Sequence, residues 1–169
     1  MATRFYHGLE EVTPELKEVF YTCTMCGTCS EICGAIPEGH WNVFVAMREE
    51  IVKRDGVIER HQPLLESVKT DDNPWRKPRD KRGDWAIGLD VKDLRKERAK
   101  VLYFVGCTAS FRPEVQVMAK WSFELLKKTG VDFGILGTDE KCCGSVIFFM
   151  GARNEYERLE SENIEQWNK

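Results

Sequence analysis

Seven cysteines carry most of the chemistry this sequence can do, and they fall in two tight groups with one outlier. Four lie in Cys23-Thr-Met-Cys26-Gly-Thr-Cys29-Ser-Glu-Ile-Cys33, spaced C-x2-C-x2-C-x3-C. That spacing is the ligand run of bacterial-type [4Fe–4S] proteins. A cubane takes thiolates at the corners of one small object, so two-residue gaps let a tight loop serve three corners. Gly27 permits a close turn because a residue without Cβ adopts positive φ freely. The three-residue gap then starts a helical turn that carries the fourth ligand. Structural zinc sites use two Cys/His pairs separated by a longer excursion, and His7, His40 and His61 complete no such pattern. Cys33 is followed by Gly34 where these runs usually continue into proline, and the sequence holds one run only. The simplest arrangement closes a single cluster with Cys33.

The second group is Cys142-Cys143-Gly144, with Cys107 upstream of the pair and 34 residues between them. On spacing alone a lone cysteine reads as a small buried hydrophobe. Position adds more. Val101–Val105 is a continuous apolar run that suits a buried strand, and Cys107 follows it directly. A helix from Pro113 to Lys128 has Val117, Met118, Trp121, Phe123 and Leu125 to bury, and Gly130 stops it. Val131–Leu136 is the next strand, and the cysteine pair lies in the loop beyond it. In a right-handed βαβ unit both strand ends lie on one edge of the sheet, the edge where open α/β sheets bind ligands. All three thiols could converge there.

The remaining elements must place these loops. Thr13 is suited to N-cap a helix with Pro14 at its first position, ending near Thr22 just before the cysteine run. Gly34, Ile36, Pro37 and Gly39 break regular structure. A second helix is expected over Trp41–Arg54, ended by Gly56. Met25, Trp41 and Phe44 are candidates to surround a cluster, or ordinary core residues at helical spacing. Residues 57–70 read as a weakly amphipathic connector. Residues 71–84 read as an ordered or semi-ordered linker, with Trp75 and Trp85 packing it back onto the body. Asp90–Lys100 reads as a charged helical approach. A final helix is expected over 152–166.

The order of these motifs resembles a known family. Phe104-Val-Gly-Cys107 followed by Cys142-Cys143-Gly144 is similar to the first half of the cysteine-rich "CCG" domain, found in the B-type and D-type polypeptides of heterodisulfide reductases. The same domain occurs in the iron–sulfur subunits of several anaerobic dehydrogenases. Tyr21–Arg48 resembles the ferredoxin module that precedes this domain in the D-type polypeptide. Asn73-Pro-Trp75 and Arg82-Gly-Asp-Trp85 resemble the segment between modules. The resemblance implies that Cys23, Cys26, Cys29 and Cys33 hold a [4Fe–4S] cubane. It implies that Cys107, Cys142 and Cys143 are ligands of a second, noncubane [4Fe–4S] cluster and the candidate catalytic residues of disulfide reduction. It also implies a C-x-x-C shortly past Lys169 and a second CCG repeat, so the chain reads as ending just before its last ligands.

The expected fold is therefore α+β. Residues 1–70 form a small helical ferredoxin-type module, 71–100 a charged linker, and 101–169 the first part of an α/β (βαβ) CCG domain. The leading expectation is an iron–sulfur electron-transfer subunit of an anaerobic oxidoreductase complex. A heterodisulfide reductase catalytic subunit and a zinc-stabilised interaction module, with Cys142-Cys143 as a redox-sensing pair, are the alternatives. Partners would be further subunits of a redox complex, a flavoprotein or another iron–sulfur subunit among them. No G-x-G-x-x-G fingerprint marks a dinucleotide site on this chain.

Composition narrows the classes. The chain has 169 residues, a net charge of -3 and 31% charged residues. The acidic balance weighs against nucleic acid as a partner. Arg76, Lys77, Arg79, Lys81 and Arg82 are offset by neighbouring aspartates and read as a solvated face or docking surface. No apolar run approaches the roughly 18–20 residues of a membrane span, so any membrane association is expected through partners. An odd number of cysteines excludes complete internal pairing, and a cysteine-rich chain without a secretory signal is expected in a reducing cytoplasm.

Overall fold

A computed structural model describes residues 2–33 and 39–168. The chain divides into two compact units. One comprises Met1–Gln62 and Gly144–Glu157, the other Pro63–Cys143 and Arg158–Lys169. The fold is mixed, helix-rich with one small parallel sheet.

The first unit is helical. It contains α1 (Ala2–Tyr6), α2 (Pro14–Thr22), the short α3 (Thr28–Ile32) and α4 (Trp41–Asp55). The start of α2 is as the sequence predicts: Thr13 caps it by accepting from the Leu16 N–H at 3.2 Å, and Pro14 opens the helix. Gly56 ends α4 at φ 79, where its N–H donates to the Val52 carbonyl. The break expected at Gly34, Ile36 and Pro37 lies outside the described residues. Phe5, Leu16, Phe20, Met47 and Ile51 form the core of this unit, with Tyr21 and Phe44 against it. Phe44 is thus a core residue.

The apolar run 146–150 becomes a further helix, α8 (Ser145–Met150), which packs on α4 in the same unit. The two approach so closely that a Cβ at Gly151 would lie 2.4 Å from the Arg48 carbonyl carbon, and Gly151 itself has φ +87. Both conditions demand glycine. Trp41 rests edge-on against Phe148 and Phe149.

The second unit is built on a three-stranded sheet in the order β1-β3-β2, all pairs parallel. Its strands are β1 (Lys92–Asp93), β2 (Val101–Leu102) and β3 (Phe133–Ile135). The crossover from β2 to β3 runs through α6 (Cys107–Phe111) and α7 (Pro113–Lys128), the βαβ unit expected. Three expectations change. Asp90–Lys100 is not helical: β1 pairs with β3, and Asp93 turns the chain by accepting from the Arg95 N–H at 3.1 Å. Tertiary pairing overrides local preference here. The apolar run at Val101 is an edge strand, so Val101 is 42% exposed and not buried on both faces. On α7 the buried residues are Ala119 and Phe123, whereas Val117, Met118, Trp121 and Leu125 are exposed. The small sheet covers one face only, the one where Phe123 meets Phe133 edge-on and Tyr103 donates to the Ala119 carbonyl.

The stretch read as connector and linker is structured. Helix α5 (Gln62–Asp71) buries Leu65 and Val68. Beyond it the side chain of Asn73, fully buried, gathers its own turn. It donates to the carbonyls of Asp71 and Lys77 and accepts from the N–H groups of Trp75 and Lys77. Trp85, 3% exposed, joins Ala119 and Ile135 in the core of this unit. The last helix, α9 (Arg153–Trp167), closes the described chain.

Candidate functional site

The Cys23–Cys33 loop leaves α2 and enters α3. Met25 (φ 59) and Gly27 (φ 80) both take left-handed conformations and wind it tightly. Cys29 sits in α3, and Cys33 caps that helical turn through its N–H to the Cys29 carbonyl. Cys23 is half-buried and Cys26, Cys29 and Cys33 are exposed; none of the seven cysteines is in a disulfide. The Cys26 thiol lies 3.3 Å from the Thr28 hydroxyl. Hydrogen bonds from the Thr28 side chain, then its backbone, then Thr24 hold the Cys26 pKa below the ordinary thiol range. The loop thereby favours a thiolate, the form that binds metal.

Among the described residues no three His, Cys, Asp or Glu side chains are grouped to hold one metal ion. One tetrahedral ion would draw its sulfurs to about 4 Å of each other, whereas a cluster sets each thiolate on a different iron. Four soft thiolates with no imidazole or carboxylate among them are a donor set that an iron–sulfur cluster and a zinc ion both take.

The second group assembles at the carboxyl ends of the parallel strands. Cys107 opens α6 and is 8% exposed; Cys142 is 2% exposed and Cys143 is exposed. The structure brings two of them into contact: the Cys142 side chain hydrogen-bonds Cys107, while the neighbouring exposed Cys143 acts on Cys107 only through its charge. Around them lies a polar network that sequence reading missed. Arg82, 1% exposed, donates to Glu140 Oε1 at 2.9 Å, to the Asp72 carbonyl at 3.0 Å and to the Lys141 carbonyl at 3.0 Å. The same guanidinium reaches Cys107 Sγ at 3.4 Å. Glu140, also buried, accepts from the N–H groups of Val105 and Gly106, both at 2.9 Å, and so fixes the loop that delivers Cys107. Asn163 of α9 donates to the Cys142 carbonyl at 2.9 Å.

Arg82 is therefore not part of a solvated basic face; it is the buried cation of the thiol site. The Cys142 hydrogen bond and then Arg82 pull the Cys107 pKa below the usual thiol value, against burial and against Cys143, which raise it. Glu140, two residues before Cys142, and the Arg-Gly-Asp-Trp segment were the signals available. Neither shows a partner until the chain folds.

Among the described residues no helix is long and apolar enough to cross a membrane. Residues 101–169 match the family model described as the cysteine-rich domain, CCG. Among curated proteins, the EtfAB:quinone oxidoreductase of Syntrophomonas wolfei is 30% identical over 90% of this chain and 22% of its own length. The D-type polypeptide of the dihydromethanophenazine:CoB–CoM heterodisulfide reductase of Methanosarcina barkeri is 32% identical over 85% of this chain and 35% of its own. A probable iron-sulfur-binding oxidoreductase of Bacillus subtilis, FadF, is 28% identical over 90% of this chain and 23% of its own. The chain thus spans between a fifth and about a third of the length of these relatives. No solved structure matches it.

Proposed function

Since residues 101–169 are a domain of the cysteine-rich CCG family, we propose that the chain is an iron–sulfur electron-transfer subunit of an oxidoreductase complex. Cys23, Cys26, Cys29 and Cys33 would hold a [4Fe–4S] cubane, and Cys107, Cys142 and Cys143 would contribute to a second thiolate-held cluster. Bound clusters would supply one-electron transfer at iron held by these thiolates. The observation that carries the reading is the pairing of Cys107 with Cys142 beside a buried arginine in a chain that also bears the C-x2-C-x2-C-x3-C run.

The chain's own residues perform the positioning. Glu140 ties the Val105–Gly106 amides and so sets where Cys107 begins its helix. Arg82 holds Glu140 and donates to the Cys107 sulfur, favouring its thiolate. Asn163 anchors the backbone of Cys142. The exposed Cys143 is the thiol within reach of a partner or a disulfide substrate, which keeps heterodisulfide reduction as the second reading. Partner subunits, a flavoprotein among them, would supply and remove the electrons.

The test is anaerobic reconstitution with iron and sulfide. We expect about four iron and four sulfide per cubane, lost on Cys26→Ser together with Cys29→Ser. Uptake of one zinc per chain with no sulfide bound would overturn the proposal.

A further inference from the structure

Four side chains charged at neutral pH are buried among the described residues: Arg48, Asp72, Arg82 and Glu140. Asp72 meets Arg79 at 2.6 Å and Arg82 meets Glu140 at 2.9 Å. Arg48, 6% exposed on α4, meets no carboxylate among the described residues. Its guanidinium donates there to neutral acceptors: Nε and Nη2 to the Phe20 carbonyl at 3.0 and 2.8 Å, Nη2 to the Cys23 carbonyl at 2.6 Å, and Nη1 to the Phe149 carbonyl at 2.7 Å. The Tyr21 ring lies beneath it, 5.0 Å from the centroid.

Withdrawing an unpaired cation from water costs several kcal/mol even after relaxation. Carbonyl dipoles and a ring face offset part of that cost. They do not neutralise the charge. The cation sits under the first residue of the four-cysteine loop, holding that residue's carbonyl. A cubane ligated by four thiolates is a net anion, and it gains a further negative charge on reduction.

We propose that Arg48 is the built-in counter-charge of the Cys23–Cys33 cluster, a positioning residue that fixes the loop through Cys23 and favours the reduced cluster. The inference rests on the cubane assignment above. It adds that a specific buried cation, outside the ligand set, sets the redox poise of that centre.

The test compares wild type, Arg48→Gln and Arg48→Lys in the reconstituted full chain, by mediated dithionite titration read by electron paramagnetic resonance, with circular dichroism to check the fold. Glutamine removes the charge; lysine keeps it but loses most of the hydrogen bonds. We expect Arg48→Gln to lower the reduced-to-oxidised ratio at fixed potential about tenfold, which is about 59 mV for a one-electron couple. Arg48→Lys should stay within about threefold of wild type, less than half that shift on the same scale. If lysine moves the potential as far as glutamine does, or if glutamine folds and moves nothing, the counter-charge is refuted while the cluster assignment stands. Should Arg48→Gln not fold, the lysine variant alone decides. A wild-type chain that takes up no iron and sulfide overturns the cluster assignment and this inference with it.

Discussion

Replacing Arg82 with methionine should be among the most damaging single changes in the second unit. Arg82 is 1% exposed and Glu140 2% exposed, so both charges are shielded from water. The substitution leaves Glu140 with two backbone N–H donors, from Val105 and Gly106, and no cation. It also removes the Arg82 hydrogen bonds to the carbonyls of Asp72 and Lys141, leaving the former only the weak Cys107 thiol donor. Removing one partner of a buried pair costs about 3–5 kcal/mol, a large share of the ~5–15 kcal/mol that holds a typical protein folded. Glu140→Gln alone should cost less, because the amide oxygen still accepts one of the two N–H groups. The double variant Arg82→Met/Glu140→Gln removes both charges and should recover part of the loss.

The assay is urea unfolding of all four proteins, followed by far-ultraviolet circular dichroism and by fluorescence. Trp85, 3% exposed, reports from the same unit. Two units need not unfold in one step, so coincidence of the two signals is checked before energies are compared. The two single losses should exceed the double loss by about 2 kcal/mol, a coupling within the range for residues in direct contact. A loss below about 1 kcal/mol for Arg82→Met, the size of one ordinary hydrogen bond, would refute the reasoning. So would additivity within about 0.5 kcal/mol.

Two further outcomes follow from the first unit. Gly151→Ala places a Cβ 2.4 Å from the Arg48 carbonyl carbon at φ +87, and neither backbone can yield cheaply; we expect about 1–3 kcal/mol of destabilisation, and thermal unfolding indistinguishable from wild type would contradict the close packing of α8 on α4. Burial pushes the Tyr21 pKa up to about 12, with Arg48 opposing. A raised pKa means the folded state keeps a proton that the unfolded chain releases. Its contribution is therefore fully present below the ordinary tyrosine value near 10 and is lost as pH rises toward 12. Tyr21→Phe loses the hydrogen bond to the Met150 carbonyl at neutral pH. Its stability should nonetheless fall less steeply than wild type between those two pH values, as read by chemical unfolding; parallel slopes would refute it.

How much of this was legible beforehand depended on the range over which each interaction acts. Thr13-Pro14, Gly56 and Pro113 mark helix ends through bonds that span a few residues, and those ends fall where the chain predicts. The meeting of Cys107 with Cys142 at one sheet edge was readable as well, because parallel pairing and right-handed crossover leave one edge available. Strand β1 was not. Its two residues carry charged side chains, and it exists because Gly134 of β3 lets Leu94 and the Lys92 carbonyl come close; a Cβ there would lie 2.6 Å from the leucine side chain. Nor was the outward face of α7, since Met118 and Trp121 look like core residues until the width of the sheet is known.

The polar partners of the thiols were hidden for the same reason. Arg82 finds Glu140 across 58 residues, and Arg48 finds Phe20 across 28 and Phe149 across 101. An arginine in sequence carries no mark of whether water or a carboxylate will meet it. Folding answers that differently at the two sites. In the second unit the cation beside Cys107 is already balanced by Glu140, so that thiol site can assemble as folded protein before any cluster enters. In the first unit the cation beneath Cys23 has neutral partners among the described residues, and the loop above it is largely exposed. On the cluster assignment proposed above, an anion bound in that loop would relieve a cost the polypeptide bears without it. Binding free energy realised only in the folded state is folding free energy. The four-cysteine unit should then depend on its cluster for stability, while the CCG domain depends on Arg82 and Glu140.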